Sequence, residues 1–337
     1  MNTPDAGAVR VAFAELADLA AESLGGRALA ANDDFFAPKE NLLKPGRGVF
    51  IADKFTSRGK WMDGWETRRK RVPGHDWCVV KLGLPGAVRG LDVDTNHFVG
   101  NFPEYCSVEA AAGADWRRAR WTELLPKSRL QGGSRNLFPV ASPARWELLR
   151  LSIYPDGGVA RLRVHGEVLP DWARLKRAKK PVDLAALENG GFVVETNDSF
   201  FGPKDNLILP GRAKTMGGGW ETRRKRVPGH DWIVVALGAA GSVGRVEVDT
   251  NHFKGNFPDS CWLEGCRVPA GRAAAPDFHR DADLRWTEIL PRAKLRAHTR
   301  HLFSRELRSG RAVFTHVRLN IHPDGGVSRL RVWGTPA

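Results

Sequence analysis

The sequence is short of the features that mark several common classes of protein. It has four cysteines in 337 residues, and they form neither a CxxC pair nor a Cys/His cluster with zinc spacing. We therefore expect free, buried thiols rather than a disulfide scaffold. No uncharged run is long enough to span a bilayer, and the apolar stretch from Val9 to Leu24 is broken by three acidic residues. These observations predict a cytoplasmic protein with no membrane partner and no signal peptide.

Several catalytic motifs are also missing. The sequence has no GxSxG elbow, no GxxxxGK[ST] phosphate loop and no dinucleotide fingerprint, because the glycines from Gly217 to Gly219 lack the required spacing. No HExxH motif indicates a metal site. These absences argue against a serine hydrolase, a nucleotide hydrolase and a dehydrogenase.

Length and composition favour two folded domains. A chain of 337 residues with 42% hydrophobic and 27% charged residues is typical of a globular protein with more than one core. The formal net charge of +14 favours anionic partners, whether nucleic acid, acidic lipid or a small carboxylate. Charge alone does not choose among them.

The chain contains one module twice. The segment GWETRRKRVPGHDW occurs at Gly64 to Trp77 and again at Gly219 to Trp232, and we call it the identical block. Four further blocks recur in the same order. They begin at Asn32 and Asn197 (NDDFFAPKENL, NDSFFGPKDNL), Asp94 and Asp249 (DTNHFVGNFP, DTNHFKGNFP), Arg120 and Arg285 (RWTELLP, RWTEILP), and Arg150 and Arg318 (RLSIYPDGGVARLRVHG, RLNIHPDGGVSRLRVWG).

The repeats set the expected domain limits. We expect a first repeat over residues 16–168, a basic linker over residues 169–180 and a second repeat over residues 181–337. The first copy has extra residues between Gly46 and Gly64, which we place in a surface loop.

The sequence pattern predicts an all-β fold of two tandem jelly-roll β-sandwich modules. Apolar and polar residues alternate from Leu149 to Ile153 and from Leu162 to Val164, and Pro-Asp-Gly-Gly between them predicts a β-hairpin. Asp76 to Gly83 and Val88 to Asp94 are further strands, with Leu84-Pro85-Gly86 as the turn between them. Long helical periodicity is lacking, apart from one candidate helix from Phe13 to Leu24. Short strands without strand–helix alternation favour a sandwich over a doubly wound sheet.

The basic run in the identical block has three interpretations. Basic residues between tryptophans can bind single-stranded nucleic acid, or they can form a solvated edge with tryptophan anchors. The third interpretation is that planar guanidinium groups hold a small carboxylate, for which arginine is better suited than lysine. In an extended strand, Arg69 and Arg71 would share one face and Glu66, Arg68 and Lys70 the other.

The DTNHF-x-GNFP block concentrates more hydrogen-bonding groups than a plain turn needs, and strand-end loops of this kind often carry function. His97 and His252 are the first candidates for a general acid or base, followed by His75 and His230. Asp94 and His97 could instead bind a divalent metal, although no motif supports it.

Together these motifs resemble those of the allantoicases (allantoate amidinohydrolases). The resemblance runs through both copies, from about Asp18 to Gly334, and rests on FFAPKENLLKPG, GWETRRKRVPGHDW, DTNHFxGNFP, RWTELLP and IxPDGGVxRLRVxG. It implies two jelly-roll modules related to discoidin-type galactose-binding sandwiches. It also implies hydrolysis of allantoate to ureidoglycolate and urea in the purine (allantoin) degradation pathway, without a nucleic-acid partner.

The roles expected of individual residues rest on the chemistry of this reaction. Allantoate carries a carboxylate and two ureido groups, and its hydrolysis needs a proton donor and a base. We expect arginines to bind the carboxylate, amide and acidic residues to bind the ureido groups, and histidine with aspartate to transfer protons. The respective candidates are Arg68, Arg69, Arg223 and Arg224; Glu66, Asn96, Asn101, Glu221, Asn251 and Asn256; and His97, His252, Asp94 and Asp249.

Other features stay open on the sequence alone. We expect no cofactor, and a divalent metal is neither indicated nor excluded. We expect a homo-oligomer on general grounds of symmetry. The two copies could hold separate pockets or share one, and the similarity of the two ureido groups favours sharing. The main rival to an enzyme is a module that binds sugars or polyanions, since a fold does not fix a function.

Overall fold

The computed structural model describes residues 12–269 and 277–337, and most of their regular structure is short β-strand. The strands of the first half are β1 (Ala17–Asp18), β2 (Arg27–Ala31), β3 (Phe55–Thr56), β4 (Gly59–Lys60), β5 (Trp65–Glu66), β6 (Asp76–Asp94), β7 (Tyr105–Ala111), β8 (Thr122–Arg129), β9 (Arg135–Pro139), β10 (Trp146–Tyr154), β11 (Gly158–Val159) and β12 (Arg161–Val168). The strands of the second half are β13 (Val182–Asp183), β14 (Phe192–Thr196), β15 (Trp220–Glu221), β16 (Asp231–Asp249), β17 (Ser260–Cys266), β18 (Thr287–Lys294), β19 (Arg300–Phe303), β20 (Val313–His322), β21 (Gly326–Val327) and β22 (Arg329–Pro336).

In residues 12–269 and 277–337, helical structure is limited to single turns and one short helix. The helix is α1 (Trp172–Arg177), and the 3-10 turns are Ala12–Glu15, Glu22–Leu24, Lys39–Leu43, Leu187–Asn189, Lys204–Ile208 and Met216–Gly218. The helix expected from Phe13 to Leu24 is therefore wrong, since two 3-10 turns flank β1 in that segment. Within the described ranges no helix is long and apolar enough to cross a membrane.

The chain divides into two compact units, Met1–Leu169 and Pro170–Ala337. We call them the first and the second copy. Helix α1 lies in the second copy, where its N-cap Asp171 accepts a hydrogen bond from the Arg174 amide at 2.9 Å. The finer domain limits expected from the sequence stay a prediction.

One long strand organises each copy. The first part of β6 pairs with β2 and β10, and its second part pairs with β12 and β9. The strand therefore belongs to both layers of the sandwich. The two strands and the turn expected between Asp76 and Asp94 are one bent strand, so that prediction is wrong in its detail. A Cβ on Gly86, at the bend, would lie 2.2 Å from the Glu167 carbonyl oxygen, so only glycine allows this approach.

The predicted hairpin is also wrong. β10 pairs with β6 and β7, whereas β12 pairs with β1 and β6, so the two strands on either side of Pro-Asp-Gly-Gly lie in different layers. The turn carries the chain across the sandwich and contributes β11, which pairs with β5. The second copy repeats this arrangement around β16.

Side chains from both layers pack into one core. In the second copy, Ile233 from the first part of β16, Val248 from its second part and Leu330 from β22 are fully buried in the same apolar cluster. Alternate burial along half-covered strands is the pattern that the sequence predicts. The prediction of an all-β protein with two tandem β-sandwich modules is confirmed.

Candidate active site

The identical block leaves the sheet directly after its first residues. Trp65 is fully buried, and its Nε1 donates to the Asp33 carbonyl oxygen at 2.8 Å. β5 ends at Glu66, and the chain beyond it is irregular, so the alternating faces considered for an extended strand do not exist. Thr67 ties this segment to the turn before β11, where its hydroxyl accepts a hydrogen bond from the Gly157 amide at 3.1 Å.

Arg68 is held in place by an acidic and an aromatic residue. Its Nε lies 2.7 Å from Asp33 Oδ2, and its guanidinium carbon lies 5.2 Å from the centre of the Phe35 ring. Burial would raise the pKa of Asp33, but hydrogen bonds from the Phe35 amide and from Arg68 outweigh it and lower that pKa. The Arg68 side chain is nevertheless 63% exposed, so its terminal amines face solvent from a fixed position.

The second copy reproduces this arrangement closely. Arg223 Nε lies 2.7 Å from Asp198 Oδ2, and the guanidinium carbon lies 5.3 Å from the Phe200 ring centre. Arg69 and Arg224 are exposed and make no hydrogen bond or ion pair to any residue in 12–269 or 277–337. Arg68 and Arg223 are therefore the better positioned of the two predicted pairs.

Lysine in the same run has a structural role. Lys70 Nζ lies 2.6 Å from Oδ1 of the buried Asp76, which also accepts a hydrogen bond from Asn32 Nδ2 at 2.9 Å. Since the lysine is only 19% exposed, it fixes the block against the start of β6 and is not free to bind a ligand.

Glu66 and Asn101 form a direct pair. Asn101 Nδ2 donates to Glu66 Oε1 at 2.6 Å, and the same pairing links Asn256 to Glu221. Burial raises the pKa of Glu66, and the hydrogen bond from Asn101 opposes this effect only in part. A carboxyl group with a raised pKa retains a proton more readily, which suits a proton donor.

Asp94 and Asn96 are already engaged within the protein. Arg47 donates two hydrogen bonds to the Asp94 carboxylate, Nε at 2.8 Å and Nη2 at 2.9 Å, and Asn96 Nδ2 donates to the Gly48 carbonyl oxygen at 2.8 Å. Arg212 makes the same two bonds to Asp249, and Asn251 donates to the Ala213 carbonyl oxygen. Both oxygens of each carboxylate are therefore bonded to an arginine, whereas a metal at this position would need them as ligands.

The two predicted histidines share a backbone conformation but differ in their surroundings. His97 and His252 have φ values of 67° and 71°, in the left-handed region that is uncommon for residues other than glycine. The exposed His97 ring lies 5.6 Å from the Phe50 ring and makes no hydrogen bond within the described part of the chain. In contrast, His252 Nε2 lies 3.0 Å from the Ala213 carbonyl oxygen, and its amide donates to His298 Nδ1 at 2.9 Å.

The second pair of candidate histidines lies beside aromatic residues. The His75 ring lies 4.7 Å from Tyr154, and the His230 ring lies 4.7 Å from Trp262. His230 Nε2 is 3.2 Å from Asn320 Oδ1, and burial lowers the pKa of His230.

Sequence reasoning missed the residues that hold the candidate side chains. Asp33 and Phe35 position Arg68, Arg47 neutralises Asp94, and Arg58 reaches the same aromatic ring as Arg68. The recurrence of Asp33 and Arg47 as Asp198 and Arg212 was the available signal. Among the residues that the structure describes, no group of three or more His, Cys, Asp or Glu side chains is arranged to hold a metal ion. The expectation that no cofactor is needed stays a prediction.

Comparisons with known proteins agree on one family. A model of the allantoicase repeat matches residues 17–169 and 182–337. A probable allantoicase 1 of Burkholderia mallei is 50% identical over 321 residues, which are 94% of this chain and 94% of that relative. The allantoicase of Dictyostelium discoideum is 46% identical, with 94% of this chain and 86% of that protein covered.

A solved structure is similar over the same extent. The crystal structure of allantoicase from Saccharomyces cerevisiae has a TM-score of 0.76 and 34% sequence identity, and the match covers 95% of this chain and 94% of that one. Because both copies match the repeat model and the relatives match over nearly their whole length, this chain belongs to the allantoicase family.

Proposed function

We propose that this chain hydrolyses allantoate to ureidoglycolate and urea with residues at the end of β5 and in the segments that follow β5 and β6. Membership of the allantoicase family carries this proposal, because allantoicases catalyse that reaction in purine catabolism. The fixed arginine, the acid–amide pair and the exposed histidine supply the groups that the chemistry requires.

Arg68 binds the substrate carboxylate in this proposal. Asp33 fixes its Nε, and no residue of the described ranges bonds to its two terminal amines. A guanidinium held in this way has lost its side-chain freedom before the substrate arrives, which lowers the entropic cost of binding. Its planar amines match the two oxygens of a carboxylate. Arg223, held by Asp198, has the same capacity.

Glu66, Asn101 and His97 serve the reacting bond. Hydrolysis breaks the bond between the central carbon and one ureido nitrogen, adds a hydroxyl group to that carbon and places a proton on the departing nitrogen. Glu66, whose pKa is raised by burial, is suited to give that proton, and the exposed His97 is suited to take one from water. The Asn101 amide binds the ureido groups alongside Glu66.

The test is the release of urea from allantoate by the pure protein. We expect urea and ureidoglycolate in equal amounts, and a loss of about a hundredfold or more in kcat for Glu66→Gln. The exposed strand residue Glu123 offers a matched control, since Glu123→Gln makes the same change away from the site. Absence of urea from the wild-type protein, with and without added divalent metal, would refute the proposed function.

The proposal extends to cofactor, assembly and compartment. No cofactor takes part, so urea release should survive dialysis against a chelator. The protein forms a homo-oligomer, which light scattering on an eluting peak would measure. Four free cysteines fit a reducing compartment, and we place the enzyme in the cytoplasm.

A further inference from the structure

The connection between the 3-10 turn and β5 differs between the copies. In the first copy this connection includes residues 47–63, which contain the small hairpin of β3 and β4, whereas the second copy has only residues 212–218 at the same place. We call residues 47–63 the first-copy insertion. It contacts both the Phe35 ring, which lies beside Arg68, and the His97 ring.

One contact of the insertion is with the ring that supports Arg68. Arg58 Nη1 donates to the Phe35 carbonyl oxygen at 2.7 Å, and its guanidinium carbon lies 4.9 Å from the centre of the Phe35 ring. Arg68 lies 5.2 Å from the same centre. Two guanidinium groups therefore adjoin one exposed ring. With Arg68 already neutralised in part by Asp33, the second arginine restores an excess of positive charge at this position.

The other contact of the insertion is with the histidine. Phe50 packs against His97 at a ring distance of 5.6 Å, and Lys60 lies 4.9 Å from the Phe50 ring centre. The insertion thus joins the proposed proton-transfer residue to the proposed carboxylate-binding residue. It also brings the cation of Lys60 and the apolar ring of Phe50 next to His97.

The insertion is anchored at its base. Asp63 Oδ2 accepts hydrogen bonds from Arg161 Nη2 at 2.7 Å and from the Val49 amide at 3.0 Å. Arg161 is only 3% exposed, so this ion pair lies within the sandwich. A buried pair of this kind fixes the path of the chain that leaves it.

Among its described residues, the second copy lacks these contacts. Phe200, which corresponds to Phe35, is 65% exposed, compared with 38% for Phe35. Among the described residues, Arg223 is the only cation that lies over the Phe200 ring. His252 is bonded to the Ala213 carbonyl oxygen of the short connection. In the second copy, therefore, the ring beside Arg223 is more exposed, and His252 is hydrogen-bonded to the backbone.

We propose that the first-copy insertion makes the first copy the principal site of turnover, with Arg58 as a substrate-binding residue that shares the carboxylate with Arg68. This inference rests on the proposed function. The insertion contacts the His97 ring and the ring beside Arg68, while Arg58 adds the positive charge that distinguishes an anionic substrate from a neutral ureido compound.

The first test is a pair of substitutions at Arg58. For Arg58→Gln we expect KM for allantoate to rise about tenfold while kcat changes little, since a charged hydrogen bond to the substrate is lost. Arg58→Lys should recover part of that loss. Arg245, which is exposed and stacks on Trp333 at 4.9 Å, provides the control, and Arg245→Gln should keep the wild-type KM.

A neutral analogue separates binding from support of the fold. The uncharged amide of allantoate, used as a competitive inhibitor, should bind wild type and Arg58→Gln equally well if Arg58 contacts the carboxylate. Equal weakening of allantoate and the amide would show that Arg58 only positions the hairpin, and would overturn its assignment.

The second test replaces residues 47–64 by residues 212–219, which supply the connection used in the second copy. We expect kcat/KM to fall by more than the tenfold loss of Arg58→Gln. The circular dichroism spectrum should stay unchanged, because Arg329, which in the second copy corresponds to Arg161, is satisfied by carbonyl oxygens among the described residues. Wild-type kinetics in both the replacement and Arg58→Gln would refute the inference but leave the proposed function intact. Wild-type protein without urea release would instead refute the proposed function.

Discussion

The two copies repeat the same contacts around Arg68 and Arg223 but differ in what surrounds these residues. Arg68 and Arg223 each lie 2.7 Å from their aspartates, and each stacks on a phenylalanine at the same distance to within 0.1 Å. The phenylalanines nevertheless differ in exposure, 38% for Phe35 and 65% for Phe200. The difference arises in a connection that shares little sequence between the copies.

The two copies show that a motif can keep its local geometry while its surroundings change. Local hydrogen bonds fix the geometry of the identical block, because its partners lie within the same repeated segments. The exposure of the phenylalanine, the number of cations beside it and the partners of His97 depend instead on residues 47–63. This segment differs in length between the copies. Identical residues in the two copies therefore need not contribute equally to catalysis.

The largest expected effect contrasts the two histidines. We expect His97→Ala to lower kcat about a hundredfold, as loss of a general base typically does, and His252→Ala to leave kcat almost unchanged. Urea release from each variant measures the difference, and circular dichroism checks the fold. Half of kcat lost in each variant would instead indicate two independent, equivalent sites. Losses in both single variants as large as in the double variant would indicate one site served by both copies.

A smaller effect is expected from conservative changes at the arginines. Arg68→Lys should raise KM for allantoate about tenfold, because lysine keeps the charge but cannot bind a carboxylate with two parallel hydrogen bonds. Arg223→Lys serves as the matched variant and should behave as wild type. Equal KM values for both variants and the wild type would assign these arginines to the fold, and the carboxylate would then pass to Arg69.

The copies should also differ in their response to acid. Burial lowers the pKa of His316 to about 4, whereas the first copy has Leu148 at this position. A histidine that is neutral in the fold and titrates near 6.5 when unfolded contributes stability above pH 6.5, and that stability is lost as the pH falls through 4. Burial raises the pKa of Asp183 to about 6. Protonation of Asp183 therefore stabilises the fold as the pH falls from 6 to 3.8, which opposes the effect of His316.

His316→Leu isolates the histidine contribution. We expect the free energy of unfolding of His316→Leu, measured relative to the wild type, to be about 1–2 kcal/mol higher at pH 5 than at pH 7.5. This value allows for solvent screening of the half-buried ring. Denaturant unfolding at the two pH values measures it. The same shift in stability at both pH values would mean that packing, not protonation, distinguishes the two residues.

The smallest effect is expected from thiol reagents, and here the two copies should agree. All four cysteines are free and buried, and burial raises the pKa values of Cys106, Cys261 and Cys266 to about 12. Since the thiolate is the reactive form, we expect no labelling of the native protein at pH 8 and no change in urea release. Rapid labelling of one thiol would identify a copy that opens locally.

Much of the fold follows from the sequence because its signals are local. Alternation of apolar residues predicts the strands, and repetition of the motifs predicts two similar modules. The pairing of those strands is not local. Pro-Asp-Gly-Gly has the chemistry of a hairpin turn, yet here it joins β10 and β12 in different layers, since β6 lies between them as the shared partner.

The candidate site also depends on non-local contacts that the sequence does not predict. Composition and spacing single out Arg68, Glu66 and His97, but they do not reveal that Asp94 is occupied by Arg47 or that Arg58 approaches Phe35. These contacts join segments that are distant in sequence, and in the case of Arg58 the segment occurs in only one copy. A repeat-based comparison finds shared residues and overlooks those that distinguish the copies.

The long central strand has a consequence for how each module comes apart. Because β6 contributes backbone hydrogen bonds to both layers, neither layer can detach while the other keeps its full set of partners. Amide protons on β10 and β12 should therefore exchange with solvent in one cooperative opening event, although these strands lie in opposite layers. The same holds for β20 and β22 around β16. Each module should behave as a single foldon, with its two faces locked by one continuous stretch of chain.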